Sequence, residues 1–135
     1  MATVFEKLNL KLQREIIVIN APASFERELV RLKDVVVLRD VKQAKAVHFA
    51  TAFATKQAEV DARSKALMAK AEGDALLWFA YPKGTLKKYQ CEFNRDTGWD
   101  VLRSAGFDTV RAVAIDEDWS ALRFRRVAFI KVAGK

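Results

Sequence analysis

The sequence predicts an α/β fold of three layers, in which helices cover an open, mostly parallel sheet that ends in an antiparallel β-hairpin. Three observations support this prediction. Apolar runs rich in β-branched residues alternate with segments that have helical spacing of apolar residues. The apolar runs are continuous, as expected for strands that are buried on both faces. The last two runs are separated by a turn alone, which favours a hairpin.

The first half of the chain has the pattern strand, helix, strand. The run Glu15–Ala21 is expected to be the first strand, and Pro22 ends it because proline cannot donate a backbone hydrogen bond. The segment Ala23–Leu32 has apolar residues at helical spacing, with Ser24 as the expected N-cap. A second strand is predicted at Val35–Val41. A right-handed crossover should connect the two strands.

The second half continues the alternation and then changes to a hairpin. The predicted elements are a strand at Ala44–Ala54, a helix from Thr55 to Gly73, a strand at Ala75–Pro82 and a helix from Thr97 to Gly106. Two β-rich runs around the turn-like segment 116–118 complete the chain. This order of elements is Rossmann-like, and the layout from Ala46 onward is similar to the second half of class I methyltransferases.

Composition indicates one domain, residues 1–135, with an ordinary core. A chain of 51% hydrophobic and 30% charged residues is not of the disordered class. No apolar stretch approaches the roughly 20 residues of a membrane helix, and no signal peptide is recognised. The single cysteine, Cys91, cannot form an internal disulfide, so a cytoplasmic protein is expected. The net charge of +7 favours polyanions, but the excess is spread evenly, which supports nucleic-acid binding only weakly.

The loop Asn20–Ser24 follows the first strand, where open α/β sheets bind their ligands. A dinucleotide or adenosylmethionine site uses a glycine-rich turn there, because the backbone must approach the ligand closely. This loop has no glycine, and the sequence contains no GxxxxGK[ST] motif. We therefore expect no cofactor and assign no catalytic residue.

A basic segment after the fourth strand is the first candidate binding site. Its cationic residues are Lys83, Lys87, Lys88 and Arg95. Together with backbone amides near Gly84, they are suited to a phosphate or carboxylate. Asp96 is expected to cap the following helix and to orient Arg95. The alternative is a solvated connection that covers packed aromatic residues, among them Trp99.

The turn of the predicted hairpin is the second candidate. Asp116 and Asp118 lie on one side of an extended chain, as do Arg123 and Arg125, so the sequence allows charged pairs across the tip. Two carboxylates can bind a divalent cation or act as acid and base. Acidic residues are common in turns, however, and no metal site is predicted. Trp119 belongs to this candidate site, although a packing role is the commoner one.

Three segments carry a resemblance to a known group of proteins. "LWFAYPKGT", "NRDTGWDVL" and "AIDEDWSALRFRR", in this order, resemble a small family of uncharacterised bacterial proteins, a domain of unknown function about as long as this chain. The resemblance covers most of residues 10–128 and implies a compact cytosolic Rossmann-like domain. It implies no activity. The positions that match its motifs are Lys83, Arg95, Asp96, Trp99, Asp116, Trp119 and Arg123.

These observations favour a non-enzymatic binding domain for an anionic small molecule or a protein partner. The basic segment, with Arg123 and Arg125, would then form a contiguous basic surface at the carboxyl edge of the sheet. The first alternative is a degenerate nucleotide- or adenosylmethionine-dependent enzyme with Asp96, Asp116 or Asp118 as acid or base. That enzyme requires a pocket that reaches the loop after the first strand. The second alternative is an interaction subunit whose aromatic residues contact a partner.

Overall fold

Six strands form one sheet in the part of the chain that the computed structural model describes, residues 4–10, 13–83, 91, 93 and 97–130. The strands are β1 (Glu15–Ile19), β2 (Val36–Leu38), β3 (Val47–Phe53), β4 (Ala71–Pro82), β5 (Phe107–Ala114) and β6 (Trp119–Arg126). The helices are α1 (Val4–Lys7), α2 (Ala23–Leu29), α3 (Gln57–Lys70) and α4 (Asp100–Ser104), and single 3-10 turns lie at Val41–Gln43 and Val127–Phe129. Among these elements, no helix is long and apolar enough to cross a membrane.

The strand order is β2-β1-β3-β4-β6-β5. The first four strands of this order are parallel, whereas β6 runs antiparallel to both β4 and β5. The predicted class, a mostly parallel sheet that ends in an antiparallel hairpin, is confirmed. The chain leaves β1 toward β2 and then returns to β3 on the other side of β1. The carboxyl ends of β1 and β3 therefore enclose a topological switch point, where such sheets bind ligands.

Different helices cover the two faces of the sheet. The buried apolar side chains of the helices are Val4, Phe5, Phe25 and Leu29 on one face, and Val60, Leu67 and Leu102 on the other. Both faces of β1, β3 and β4 are buried, which explains why these strands read as continuous apolar runs. The indole N–H of Trp78 donates to the carbonyl of Leu8 at 2.9 Å, which satisfies its one polar atom within the core.

The second strand is shorter than predicted. Its pairing ends at Leu38, and a 3-10 turn begins at Val41. Asp40 stabilises this turn, because its side chain accepts a hydrogen bond from the amide of Lys42 at 3.0 Å. The segment 39–43 is therefore a defined turn at the carboxyl end of β2.

Two predicted helix starts were wrong. The helix predicted from Thr55 begins at Gln57, since the carboxylate of Glu59 accepts hydrogen bonds from the amides of Thr55 and Lys56. The helix predicted from Thr97 begins at Asp100, with Trp99 at the N-cap position. In α2, the N-cap position belongs to Pro22, and Ser24 lies within the first turn.

Candidate functional site

The loop between β1 and α2 makes a tight turn without glycine. Asn20 has a φ of 58°, the left-handed conformation that asparagine tolerates better than most residues. Small side chains follow at Ala21, Pro22 and Ala23, and α2 begins at the last of these. The absence of glycine therefore does not prevent a backbone turn of the kind that a ligand can approach.

Two cavities meet at this turn, and Asn20 borders both. The β3 cavity has a volume of about 320 Å³ and is lined by Asn20, Pro22, Phe53, Ala54, Thr55, Glu59 and Trp119. The β2 cavity has a volume of about 420 Å³ and is lined by Ile19, Asn20, Arg39, Asp40, Val41, Lys42, Arg63, Ala66, Ala69 and Lys70. The enzymatic alternative required a pocket that reaches this loop, and two are present.

The β3 cavity has an apolar, aromatic side and a polar side. Trp119 is buried and packs edge-on against Phe53, with ring centroids 5.2 Å apart. Glu59 contributes a carboxylate whose position is fixed by the amides of Thr55 and Lys56, at 3.0 and 3.1 Å. An apolar wall with a few fixed polar groups is the usual composition of a small-molecule site.

The β2 cavity is strongly basic. Four cationic side chains, those of Arg39, Lys42, Arg63 and Lys70, and a single carboxylate line it. The carboxylate is Asp40, which stands twenty residues after Asn20, at the carboxyl end of the neighbouring strand. In Rossmann-like sheets, an acidic residue at this place binds ribose hydroxyls.

The four cations of the β2 cavity differ in their partners. Arg39 is paired with Glu26 through both guanidinium nitrogens, one of them at 2.9 Å. Lys70 donates to the carbonyls of Val41 and Ala44 at 2.9 and 2.7 Å, which ties α3 to the 3-10 turn. In the described ranges, Lys42 and Arg63 form no ion pair. The Nε atom of Arg63 is buried and has no hydrogen-bond partner there.

Most of the predicted basic segment lies outside the described residues. This applies to Lys87, Lys88, Arg95 and Asp96. Lys83 is described, and its backbone amide donates to the carbonyl of Asp118 at 2.9 Å. Its backbone therefore extends the contact between β4 and the hairpin.

Arg123 and Arg125 do not lie beside Lys83. Arg125 donates to both oxygens of Asp74, at 2.7 and 2.5 Å, and Arg123 lies 3.9 Å from the same carboxylate. Arg123 is opposite Trp78 in the antiparallel pair, so Lys83 is five residues farther along β4, roughly 16 Å away. Of the residues predicted for the basic surface, the three described ones, Lys83, Arg123 and Arg125, thus form no contiguous surface at the carboxyl edge.

Asp116 stabilises the hairpin turn and fixes it to α2. Its Oδ1 accepts hydrogen bonds from the amides of Asp118 and Trp119 at 2.8 and 2.9 Å, and its Oδ2 accepts one from the hydroxyl of Ser24 at 3.0 Å. The sequence left open whether the turn acids pair with Arg123 and Arg125; in the described structure both arginines pair with Asp74 instead.

The two tryptophans among the candidate residues are core residues. Trp99 and Trp119 have only 1% and 5% of their surface exposed. Trp99 packs against Phe79, Phe93 and Phe124. A partner that docks on the surface would not reach these rings.

Several solved structures with a similar fold are methyltransferases. A SAM dependent methyltransferase from Aquifex aeolicus matches with a TM-score of 0.63 and 15% identity, over 90% of this chain and 87% of that chain. Magnesium protoporphyrin IX methyltransferase from Synechocystis PCC 6803, with SAH bound, matches with a TM-score of 0.57 and 13% identity, over 91% and 78%. The N-methyltransferase NodS from Bradyrhizobium japonicum WM9 gives 0.56 and 13%, over 91% and 93%.

These identities establish a common fold. No protein-family model matches the sequence, and a comparison with curated proteins finds no match. The hypothesis of a non-enzymatic binder with a basic surface is contradicted by the structural likeness to methyltransferases. The described charges agree with this correction, because they are divided between opposite ends of β4.

Proposed function

We propose that this chain is an adenosylmethionine-dependent enzyme whose nucleoside ligand lies in the β2 cavity and reaches the switch point at Asn20, beside the β3 cavity. The observation that supports this most is that both cavities meet at Asn20, with Asp40 at the end of the adjacent strand. The likeness in fold to methyltransferases gives the chemical class. A cytoplasmic location is part of the same proposal.

The residues present fit such a ligand. Asp40 would accept hydrogen bonds from the ribose hydroxyls, since one of its carboxylate oxygens already accepts from Lys42 and the other has room to face the cavity. The left-handed turn at Asn20 and the small side chains after it leave the backbone accessible to the amino-acid part of the ligand. When bound, adenosylmethionine supplies an activated methyl group.

The β3 cavity is the place for the methyl acceptor. Phe53 and Trp119 would exclude water from it, and the hydroxyl of Thr55 offers one polar contact at the end of β3. Displacement at a methyl group depends mainly on alignment of the two reactants, which a shaped cavity provides. We do not assign an acid or base role to Asp116, because the turn and Ser24 use its oxygens.

Calorimetric titration with adenosylhomocysteine at physiological salt tests the proposal. We expect binding, and we expect Asp40→Asn to weaken it by about tenfold, the effect of one lost hydrogen bond to a charged group. Asparagine keeps an oxygen for the amide of Lys42, so the turn should survive. Glu117→Gln, an exposed change in the hairpin turn, is the control. No binding of adenosylhomocysteine or adenosylmethionine, or equal binding by Asp40→Asn, would contradict the proposal.

A further inference from the structure

We infer that the β2 cavity contains a phosphate subsite formed by Arg63 and Lys42, next to the position of the ribose. The inference rests on the proposed function, since it places a nucleoside in the same cavity and against the same Asp40. It goes further by adding a phosphate to the chemistry of the site. Adenosylmethionine has no phosphate, so the group belongs either to a phosphorylated nucleoside or to a second molecule.

The charge balance of the cavity is the first argument. Its lining carries four cations and one carboxylate. Glu26 neutralises Arg39, and the ammonium of Lys70 is committed to the carbonyls of Val41 and Ala44. Two cationic groups with no partner in the described chain, those of Arg63 and Lys42, therefore remain at the cavity wall. A cluster of unpaired positive charge attracts an anion.

The position of Arg63 is the second argument. Its Nε is buried and lacks a hydrogen-bond partner in the described structure, which is costly for a charged group, and the guanidinium lies at the cavity wall. A planar guanidinium with several donors matches a phosphate in geometry, because two N–H groups can bind two oxygens. Ala66 lies one helical turn beyond Arg63 on the same side of α3 and also lines the cavity.

Asp40 limits where the phosphate can lie. A phosphate against this carboxylate would be repelled, so the phosphate should contact Arg63 while a free hydroxyl contacts Asp40. A free ribose hydroxyl at Asp40 and a phosphate at Arg63 satisfy both groups at once. When adenosylmethionine is the nucleoside, a second molecule has to carry the phosphate.

Calorimetric titration of the whole chain at physiological salt tests the subsite. The ligands are adenosine, adenosine 2′-phosphate, adenosine 3′-phosphate, and adenosine in the presence of inorganic phosphate. We expect one of the phosphorylated nucleosides to bind at least tenfold more tightly than adenosine. In Arg63→Gln this advantage should disappear, so that the ratio of the two affinities measured in the same variant falls to about one.

Two further variants make the result specific. Lys65→Gln removes an exposed positive charge two residues from Arg63, outside the cavity lining, and should keep the advantage of the phosphorylated ligand. Lys42→Gln changes an exposed side chain at the cavity and should reduce that advantage. This variant tests the subsite if Arg63→Gln fails to fold. If Lys65→Gln lost the advantage of the phosphorylated ligand as fully as Arg63→Gln, the phosphate would be responding to non-specific positive charge, and the subsite would be overturned.

The remaining outcomes separate the two proposals. If adenosine binds, and neither the phosphorylated nucleosides nor added inorganic phosphate give a higher affinity, the subsite is overturned and the proposed nucleoside site stands. If inorganic phosphate tightens adenosine binding while the phosphorylated nucleosides do not bind better, the subsite stands and a second molecule supplies the phosphate. If no nucleoside binds in any form, both proposals are overturned.

Discussion

Asn20 is the single residue on which both cavities border, and its backbone is in a left-handed conformation. Glycine adopts this conformation without strain, and asparagine adopts it at a modest cost, because its short amide can form local hydrogen bonds. A search for glycine therefore misses a turn that asparagine makes. The residue that does carry a readable signal is Asp40, an acid twenty residues on, at the end of the second predicted strand.

Replacing Asn20 tests this role of the backbone. We expect Asn20→Ala to lower the free energy of unfolding by about 1 kcal/mol, since alanine is strained at positive φ, whereas Asn20→Gly should change it by less than about 0.5 kcal/mol. Urea denaturation measures both. Asp34, an exposed residue with a φ of 60° that lines neither cavity, is the matched position. Alanine at Asp34 should destabilise the chain similarly but leave nucleoside binding unchanged. An Asn20→Ala variant as stable as the parent would contradict the assigned conformation.

At the scale of elements, sequence reasoning finds the strands and misplaces some helix starts. The strands are found because burial on both faces leaves a continuous apolar run that needs no partner to be recognised. The start of α3 is set instead by one contact, in which Glu59 reaches back to two amides. The pairing of Arg125 with Asp74 also cannot be predicted from the local sequence, since Asp74 comes close only when β4 and β6 pair.

The tie between β4 and β6 makes stability depend on pH. The hydrogen bond from Arg125 lowers the pKa of Asp74 below its usual 3.8, the positive charge of Arg123 adds to this, and burial opposes it. Because the pKa of Asp74 is lower in the folded state, the ion pair stabilises the fold above pH 3.8. This stabilisation is lost as the pH falls through the lower pKa of the folded state.

We therefore expect Asp74→Asn to cost less than about 1 kcal/mol at neutral pH, as is usual for an exposed pair. The difference in unfolding free energy between this variant and the parent should shrink below pH 3.8. Urea denaturation over a series of pH values measures it, with Glu117→Gln as the control. A difference that stays constant into strong acid would mean that Asp74 does not carry this dependence.

At the scale of the molecule, the sequence predicts the order of the elements along the chain but not which strands lie next to each other in the sheet. The α/β class follows from alternation along the chain, but the positions of charges follow from strand pairing. Lys83 follows the carboxyl end of β4, and Arg125 lies near the carboxyl end of its partner β6. The two residues are at opposite ends of the pair because the strands are antiparallel. In the same way, the loop after β1, the turn after β2 and the start of α3 enclose one crevice although they are far apart in the chain.

This arrangement predicts a pattern of hydrogen exchange. The central strands β3 and β4 are buried on both faces, so their amides should exchange only through global unfolding. The edge strand β2 has three residues, and Val36 is 58% exposed, so its amides should exchange through local opening and much faster. Mass spectrometry after deuterium labelling compares these segments. Equal protection of β2 and β3 would contradict the assigned strand order.

The same measurement with saturating adenosylhomocysteine extends the test to the proposed site. A ligand across the switch point should slow exchange in the loop Asn20–Ser24 and in the turn Val41–Gln43, because it holds both segments in the folded conformation. The hairpin turn at Asp116 is fixed by its own hydrogen bonds and should change little. Slowed exchange across the whole chain would reflect global stabilisation by mass action. Protection confined to the hairpin would place the ligand outside both cavities and contradict the proposed site.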